Sequence, residues 1–217
     1  MLPRSTKFAA VPDAGMFVNI PDFNGEMSFQ AGVIAGLKLW TGGSGGNASS
    51  YFTNRACLAA HPGQEWKCYM SQYIAPHITA PLFIVNSMYD AAGLGLLRFP
   101  NAANITLDNS TTLERIQQYR TQYLGIVKAA VWSTPMNGGF LTACNQHEEM
   151  CRSEDYEGIQ IKGASMAEAL SQWWRSLDAD SGGDGAAAHI VGAHVWVDVD
   201  WPNNPTCWTG PNFHGAC

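Results

Sequence analysis

The segment Pro81-Leu-Phe-Ile-Val-Asn-Ser-Met-Tyr-Asp90 decides the fold class of this chain. Its first half, from Leu82 to Val85, is a short apolar run with β-branched and aromatic side chains, which is typical of a buried strand in a parallel sheet. Its second half is more polar and ends in an aspartate, as in a loop that leaves the strand. The segment therefore predicts a buried parallel strand with Asp90 near its carboxyl end.

Amphipathic segments on both sides of this strand predict helices. Ser28 begins the first helix, the capping box Thr111-x-x-Glu114 the second, and the capping box Ser165-x-x-Glu168 the third. The apolar stripes of these three helices, all predicted to face a core, are Phe29, Val33, Leu37 and Trp40; Leu113, Ile116, Tyr119, Tyr123 and Val127; and Ala169, Leu170, Trp173, Trp174 and Leu177.

Further segments complete the predicted fold. Gly15 to Ile20 is strand-like, Ala129 to Trp132 predicts another strand, and Asn137 begins a loop. Alternating valines near the carboxyl terminus mark one more strand-like segment, beyond a Gly/Ala/Asp linker from Asp180 to Ala188. Strands that alternate with helices predict an α/β fold with a mainly parallel sheet. Reactive groups of such sheets gather beyond the carboxyl ends of the strands.

Composition excludes several classes of function. The chain has 217 residues, of which 46% are apolar and 14% are charged, as expected for one globular domain with a full core. Twelve basic and eighteen acidic residues give a net charge of −6, without a basic cluster, so a nucleic-acid partner is not expected. No apolar run approaches the roughly 20 residues that a membrane-spanning helix needs.

The cysteines and sequons favour folding in the secretory pathway. The sequence contains Asn-x-Ser/Thr sequons at Asn47, Asn104 and Asn109. An even set of cysteines without C-x-x-C pairs indicates disulfides rather than a metal or redox site. Because Met1 is not followed by an apolar signal segment, we expect an incomplete amino terminus in a secreted protein. The six cysteines are Cys57, Cys68, Cys144, Cys151, Cys207 and Cys217.

Asp90 and His147 are the candidate catalytic pair. In α/β-hydrolases the triad follows the order nucleophile, acid and histidine, with the acid and the histidine on loops after late strands. Asp90 and His147 obey this order, with a predicted helix between them. The imidazole would take the proton of a serine hydroxyl and return it to the leaving alcohol, while the carboxylate would hold the imidazole in the correct tautomer.

Four blocks of the sequence, in this order, resemble the pectin acetylesterase/Notum family of carboxylesterases. The blocks are Glu65-Trp-Lys-Cys68, Pro81 to Asp90, Cys144-Asn-Gln-His-Glu148 and Ile159 to Leu170. The segment Asp13-Ala-Gly-Met-Phe is also similar to the stretch that follows the nucleophile helix of that family. The likeness covers most of the chain, to about Trp201.

This resemblance implies the fold, the activity and the roles of two residues. It implies a partial α/β-hydrolase-like fold and hydrolysis of an ester through a covalent acyl-serine, without a cofactor or metal. Asp90 would be the triad acid and His147 the base. The implied substrate is an acylated polysaccharide, with acetylated pectin first, or a lipid-modified protein, as in the Notum branch.

The nucleophile is where this sequence departs from the family. The serine of the family lies in a Gly-x-Ser-Ala-Gly-Gly elbow upstream of the Asp-Ala-Gly block, and none of the twelve residues before Asp13 forms such an elbow. We therefore expect residues 1–217 to be the C-terminal portion of a single esterase domain, inactive as given. The alternative is a non-catalytic secreted family member that binds carbohydrate or protein.

Gly42-Gly-Ser44-Gly-Gly46 matches the pattern G-x-S-x-G, but we expect it to be a decoy. A nucleophile elbow needs a buried strand before the serine and a helix after it. Here a predicted helix that ends at Trp40 precedes the motif, and a sequon follows it. Ser44 is therefore not expected to be the nucleophile.

The resemblance also implies a local disulfide between Cys57 and Cys68, whereas Cys144 could pair with either Cys151 or Cys207.

Metal sites are not expected. His147-Glu148-Glu149-Met150-Cys151 lacks the second histidine of the zinc motif H-E-x-x-H. The second metal candidate, in strand-like surroundings, consists of His189, His194, Asp198 and Asp200.

Overall fold

The computed structural model describes residues 6–40, 54–105, 109–177 and 194–207. The helices are α1 Ser28–Trp40, α2 Arg55–Ala60, α3 Ser71–Ile74, α4 Ala91–Leu96, α5 Ser110–Ala130, α6 Ser153–Gly158 and α7 Met166–Ser176, with short 3₁₀ helices at Glu65–Tyr69 and Ala75–His77. The strands are β1 Phe83–Ser87, β2 Gly138–Thr142, β3 Gln160–Ile161, β4 Ala164–Ser165 and β5 Val195–Val197.

A parallel three-stranded sheet in the order β1-β2-β5 forms the centre of the described structure. β3 and β4 form a separate antiparallel pair. Beside β1, parallel bridges join Ala10 to Leu82 and Asp13 to Val85, so the amino-terminal segment continues the sheet on that edge. Since the main strands run in one direction, their carboxyl ends meet at one edge. The predicted α/β fold with a mainly parallel sheet is confirmed.

Two apolar clusters cover the two faces of the sheet. Ile84 and Leu141 point into a cluster with the buried stripe of α5, and Phe83, Val85 and Phe140 point into a cluster with α7. Successive strand side chains point to opposite faces, so strands covered by helices on both faces consist almost entirely of buried residues. This layering matches the apolar run that predicted β1, all five residues of which are buried.

The strand β2 lies where the sequence predicted a loop that begins at Asn137. The prediction was wrong because Asn137-Gly-Gly resembles a turn, whereas the glycines serve close packing. A Cβ on Gly138 would lie 2.7 Å from the His194 carbonyl oxygen and 2.9 Å from the rings of both Phe83 and Trp173. Only a residue without a side chain fits at this point between β5 and α7.

The predicted strand from Ala129 to Trp132 is also wrong. Its first two residues are the last turn of α5, and Val131 and Trp132 follow as buried residues of a turn. Apolar β-branched and aromatic side chains at the end of a buried helix imitate a short strand. The start of α5 differs as well, because the N-cap is Asn109, whose side chain accepts a hydrogen bond from the Thr112 amide, rather than Thr111.

Other predicted elements are found with differences in burial. The capping box of Ser165 and Glu168 is present at the start of α7. The stripe of α5 is buried at Ile116, Tyr119, Tyr123 and Val127. In α7, Trp173 is buried but Trp174 is 40% exposed, because the next helical position lies about 100° further around the axis. In α1 no residue is buried, and Trp40 is 81% exposed.

The predicted strand-like run from Gly15 to Ile20 has the alternating burial of a strand without strand pairing. Met16, Val18 and Ile20 are buried, and the pairing with β1 occurs upstream, at Ala10 and Asp13. The described helices include none that is both long enough and apolar enough to cross a membrane.

Two disulfides cross-link the described residues. Cys57 and Cys68 are bonded with their Cα atoms 5.8 Å apart, as the resemblance implied. Cys144 is bonded to Cys207, with a Cα separation of 5.2 Å, which decides between the two partners that the sequence left open. The second disulfide ties the loop after β2 to the segment after β5.

Candidate active site

Asp90 lies three residues beyond β1, where the chain turns into α4. Its side chain is 4% exposed and caps the helix, since Oδ1 accepts a hydrogen bond of 2.6 Å from the Gly93 amide. A side chain at position 93 would crowd this contact, because a Cβ there would lie 3.4 Å from Oδ1 of Asp90 and 3.3 Å from the Tyr119 hydroxyl. The cap orients the carboxylate, and its second oxygen, Oδ2, points to His147.

His147 lies on the loop after β2, and its ring meets the carboxylate of Asp90. Nδ1 of His147 is 2.8 Å from Oδ2 of Asp90 across 57 positions of sequence. The two residues of the candidate pair are therefore in direct contact. The imidazole is 29% exposed, and on one side it faces the ring of Phe17 with a centroid separation of 6.1 Å.

The second ring nitrogen, Nε2, is available for chemistry. Donation from Nδ1 to the carboxylate leaves the lone pair on Nε2, where it can accept a proton. Within the part of the chain that the structure describes, no group is hydrogen-bonded to Nε2. The pair has the geometry of the acid and the base of a catalytic triad.

The loops of the acid and the base are joined directly to each other. The Asn145 amide donates hydrogen bonds of 2.9 Å to the carbonyl oxygens of Tyr89 and Ala102. Its oxygen accepts a bond of 3.3 Å from the Ile105 amide. Because Tyr89 immediately precedes Asp90, Asn145 fixes the spacing between the two loops.

A serine hydroxyl makes a second connection between these loops. Ser87, the last residue of β1, donates to the Cys144 carbonyl oxygen and accepts a hydrogen bond of 2.8 Å from the Tyr89 amide. The Ala91 amide donates to the Gln146 carbonyl oxygen at 3.3 Å. Backbone and side-chain bonds therefore hold the residues next to the acid and next to the base in register.

Two aspartates, the buried Asp198 and the partly buried Asp13, hold the ends of the loop after β2. At its start, Oδ2 of Asp198 accepts hydrogen bonds from the Ala143 amide at 2.9 Å and from the Asn204 side chain at 2.6 Å. At its far end, the carboxylate of Asp13 accepts the amides of Glu149 and Met150 at 3.0 and 2.9 Å. The loop that carries His147 is thus anchored from two different elements.

Burial shapes the electrostatics of this site. Burial raises the pKa of Asp90, and the hydrogen bonds from His147 and Gly93 act against this increase. Glu149 is completely buried, with one oxygen bonded to the Thr142 hydroxyl and the other without a hydrogen-bond partner. Its burial, reinforced by the neighbouring carboxylates of Asp13 and Asp90, raises the pKa of Glu149 well above the usual range.

The sequence indicated Asp90 and His147 as the candidate pair, but it did not indicate the residues that hold them in place. Asn145 and Glu149 stand inside or beside the Cys-x-x-His-Glu block, and Asp13 stands at the head of the Asp-Ala-Gly block. The sequence identified these blocks only as points of likeness. Nothing in the periodicity of either block indicates that the Asp13 carboxylate binds backbone amides 136 and 137 positions away.

The remaining candidate residues are possible metal ligands and residues that lie outside the described part of the chain. Ligand atoms of Cys57, His61 and His77 lie within 4.8 Å of one another, but the sulfur of Cys57 is in a disulfide and cannot act as a thiolate ligand. The Asp198 carboxylate binds amides, and Asp200 forms an ion pair of 2.9 Å with Arg120. Three sequence candidates lie outside the described residues: the motif from Gly42 to Gly46, the sequon at Asn47 and His189.

The acid–histidine pair beyond the carboxyl edge of a parallel sheet is an arrangement of α/β-hydrolase-like enzymes. The sequence matches the family Pectinacetylesterase over residues 1–208, and the chain belongs to this family. The resemblance predicted from the sequence is confirmed. Two relatives of the chain are named as a carboxylesterase and an acetylesterase.

The relatives fall into two branches. The chain is 29% identical over 178 residues to palmitoleoyl-protein carboxylesterase notum1a of Danio rerio, covering 80% of this chain and 31% of that protein. It is 25% identical over 224 residues to pectin acetylesterase 7 of Arabidopsis thaliana, covering 95% of this chain and 51% of that protein. The chain therefore spans about a third to a half of the length of these relatives.

Proposed function

We propose that this chain supplies the acid and the base of a serine carboxylesterase. The observation that carries the proposal is the 2.8 Å contact between Nδ1 of His147 and Oδ2 of Asp90, in the order and at the sheet edge used by α/β-hydrolases. Two groups 57 positions apart have no local reason to meet. A buried carboxylate that contacts a partly exposed imidazole is the arrangement that base catalysis requires.

In this proposal His147 acts through Nε2. It takes the proton of a serine hydroxyl as the oxygen attacks the ester carbonyl carbon, and it then protonates the leaving alcohol. Water repeats the sequence on the acyl-serine, which releases the carboxylic acid. Asp90 holds the tautomer with the proton on Nδ1 and stabilises the imidazolium that forms in each step.

Among the described residues, none supplies a nucleophile to His147. Ser44 stands in the only G-x-S-x-G pattern of this sequence, and it lies outside the described residues. On the sequence argument, Ser44 lacks the strand–turn–helix setting of a nucleophile elbow. The proposal therefore assigns the acid and the base to this chain and makes Ser44 a residue to be tested.

Acetyl esters are the first proposed substrates. The family that matches over residues 1–208 is Pectinacetylesterase, and the alignment with pectin acetylesterase 7 covers 95% of this chain. Acetylated pectin is accordingly the first polymer to test, and a lipid-modified protein is the second.

We also propose that the protein is secreted, glycosylated and active at a cell wall. Two disulfides support folding in an oxidising compartment. The sequon residues Asn104 and Asn109 are exposed, and Asn109 uses only its side-chain oxygen to cap α5. Its amide nitrogen is the atom to which a glycan would be attached.

The test is acetate release from acetylated pectin and from p-nitrophenyl acetate by the polypeptide encoded by the complete transcript. Asp90→Asn and His147→Ala should each reduce kcat/KM by on the order of 10³- to 10⁴-fold. Asp22→Asn is the matched control and should keep the original rate, since Asp22 is also buried and accepts two amides, those of Asn24 and Glu26.

Two results would contradict the proposal. One is a rate that survives Asp90→Asn and His147→Ala with an unchanged circular dichroism spectrum. The other is binding of pectin without acetate release above a blank, which would favour the non-catalytic binding protein.

A further inference from the structure

We propose that Asp13 is a positioning residue for His147, which holds the imidazole against Asp90 by binding the backbone of the loop after it. The inference rests on the proposed function only in taking His147 as the base. No contact of Asp13 with a reacting group is involved, because its carboxylate acts on amides two and three residues beyond His147.

The carboxylate of Asp13 binds two consecutive backbone amides. Each carboxylate oxygen of Asp13 accepts one amide, Oδ1 from Glu149 at 3.0 Å and Oδ2 from Met150 at 2.9 Å. Hydrogen bonds to an ionised acceptor are among the stronger ones in proteins. Both oxygens are therefore committed to the segment that leaves the catalytic histidine.

The backbone between His147 and these two amides has an unusual conformation. Glu148, which follows His147 directly, has a φ of +58°, in the left-handed region that residues other than glycine rarely adopt. Such a conformation persists only where surrounding contacts impose it. The two bonds to Asp13 lie immediately beyond this residue and fix the direction in which the chain leaves His147.

The backbone of Asp13 is itself held by β1. Asp13 pairs with Val85 of β1, where the Ala14 amide donates to the Val85 carbonyl oxygen at 2.9 Å and the Val85 amide donates to Pro12 at 3.1 Å. β1 leads directly to Asp90. Through Asp13, the histidine loop is therefore held by the strand that also positions its acid partner.

The experiment measures the contact between His147 and Asp90 itself, in the purified 217-residue chain. In ¹⁵N–¹H NMR spectra, the Nδ1–H proton of His147 should give a low-field signal that is absent from Asp90→Asn. Asp13→Asn keeps one acceptor oxygen and should broaden or shift this signal, and Asp13→Ala should abolish it. Asp22→Asn changes another carboxylate that accepts two backbone amides, both at Oδ1, and should leave the signal unchanged.

A rate measurement adds a second readout in the complete polypeptide. Asp13→Asn should lower kcat by about 10- to 100-fold with little change in KM, since small misplacements of a catalytic group act on the reacting geometry. If the Nδ1–H signal of Asp13→Asn keeps its wild-type position and width, the proposal is wrong. A protein that shows the predicted NMR changes without any esterase activity would refute the proposed function but not the role of Asp13.

Discussion

Nδ1 of His147 and Oδ2 of Asp90 are 2.8 Å apart, although each side chain belongs to a loop after a different strand. The contact depends on the parallel register of β1 and β2, in which Ser87 at the end of one strand pairs with Thr142 at the end of the other. Both loops therefore start at the same level of the sheet. Asn145 and Ser87 then connect them, and Asp13 and Asp198 hold the histidine loop from either side.

The first prediction concerns the 217-residue chain by itself. We expect it to hydrolyse p-nitrophenyl acetate no faster than its His147→Ala and Ser44→Ala variants, because an acyl-enzyme needs a positioned hydroxyl and oxyanion donors, each worth roughly 3–4 kcal/mol. Initial rates corrected for a protein-free blank provide the measurement. Turnover that both substitutions abolish would show that Ser44 is the nucleophile.

The second prediction concerns Asn145. Asn145→Ala should lower the free energy of unfolding by about 1–3 kcal/mol, because it leaves the buried carbonyl oxygen of Tyr89 and the partly buried one of Ala102 without their donor. Urea denaturation monitored by tryptophan fluorescence checks the value. The exposed Asn203 is the matched control, and Asn203→Ala should change the stability by less than about 0.5 kcal/mol. Equal effects of both substitutions would argue against the bridging role of Asn145.

The third prediction follows from the raised pKa of Glu149. Since its folded-state pKa lies above the ordinary value of 4.5, the folded protein binds this proton more tightly than the unfolded chain does. The stabilisation of the folded protein by this proton is complete below the unfolded-state pKa of Glu149 and is lost as the pH rises through its folded-state pKa. Glu149→Gln should remove this loss, so that the variant gains stability relative to the wild type by about 1 kcal/mol or more at pH 8.

Urea unfolding at a series of pH values from 4 to about 8 tests this dependence on Glu149. The control is Glu157→Gln, which changes an exposed glutamate on α6 by the same substitution. Its stability curve should run parallel to that of the wild type. A Glu149→Gln curve that is equally parallel would contradict the prediction.

The fourth prediction concerns Gly138 in β2. Gly138→Ala would place a Cβ 2.7 Å from the His194 carbonyl oxygen and 2.9 Å from the Phe83 and Trp173 rings, so the sheet or α7 must shift. A loss of about 1–3 kcal/mol is expected from such overpacking. Gly158→Ala is the control, since its Cβ would meet nothing within 4 Å, and it should be neutral or slightly stabilising. Thermal unfolding of both variants would show whether they differ as expected.

Part of this molecule was predictable from local sequence alone. The apolar run that forms β1, the capping box of α7 and the helical stripe of α5 each depend on residues only a few positions apart, and the structure has all three. The family resemblance added Asp90, His147 and the Cys57–Cys68 disulfide, because these residues stand in short recognisable blocks. Local patterns failed at β2, where two glycines that look like a turn are needed for packing against Phe83 and Trp173.

The sequence by itself therefore determined the class of fold and indicated Asp90 and His147 as the candidate acid and base, in that order along the chain. Tertiary structure decided that Cys144 pairs with Cys207, that Asp13 binds the amides beyond His147, and that α1 buries none of its apolar stripe. The physical reason is the range of the interactions. Helix caps and strand patterns are set by neighbours in sequence, whereas a disulfide across 63 positions or a hydrogen bond across 136 exists only after the sheet has brought distant segments together.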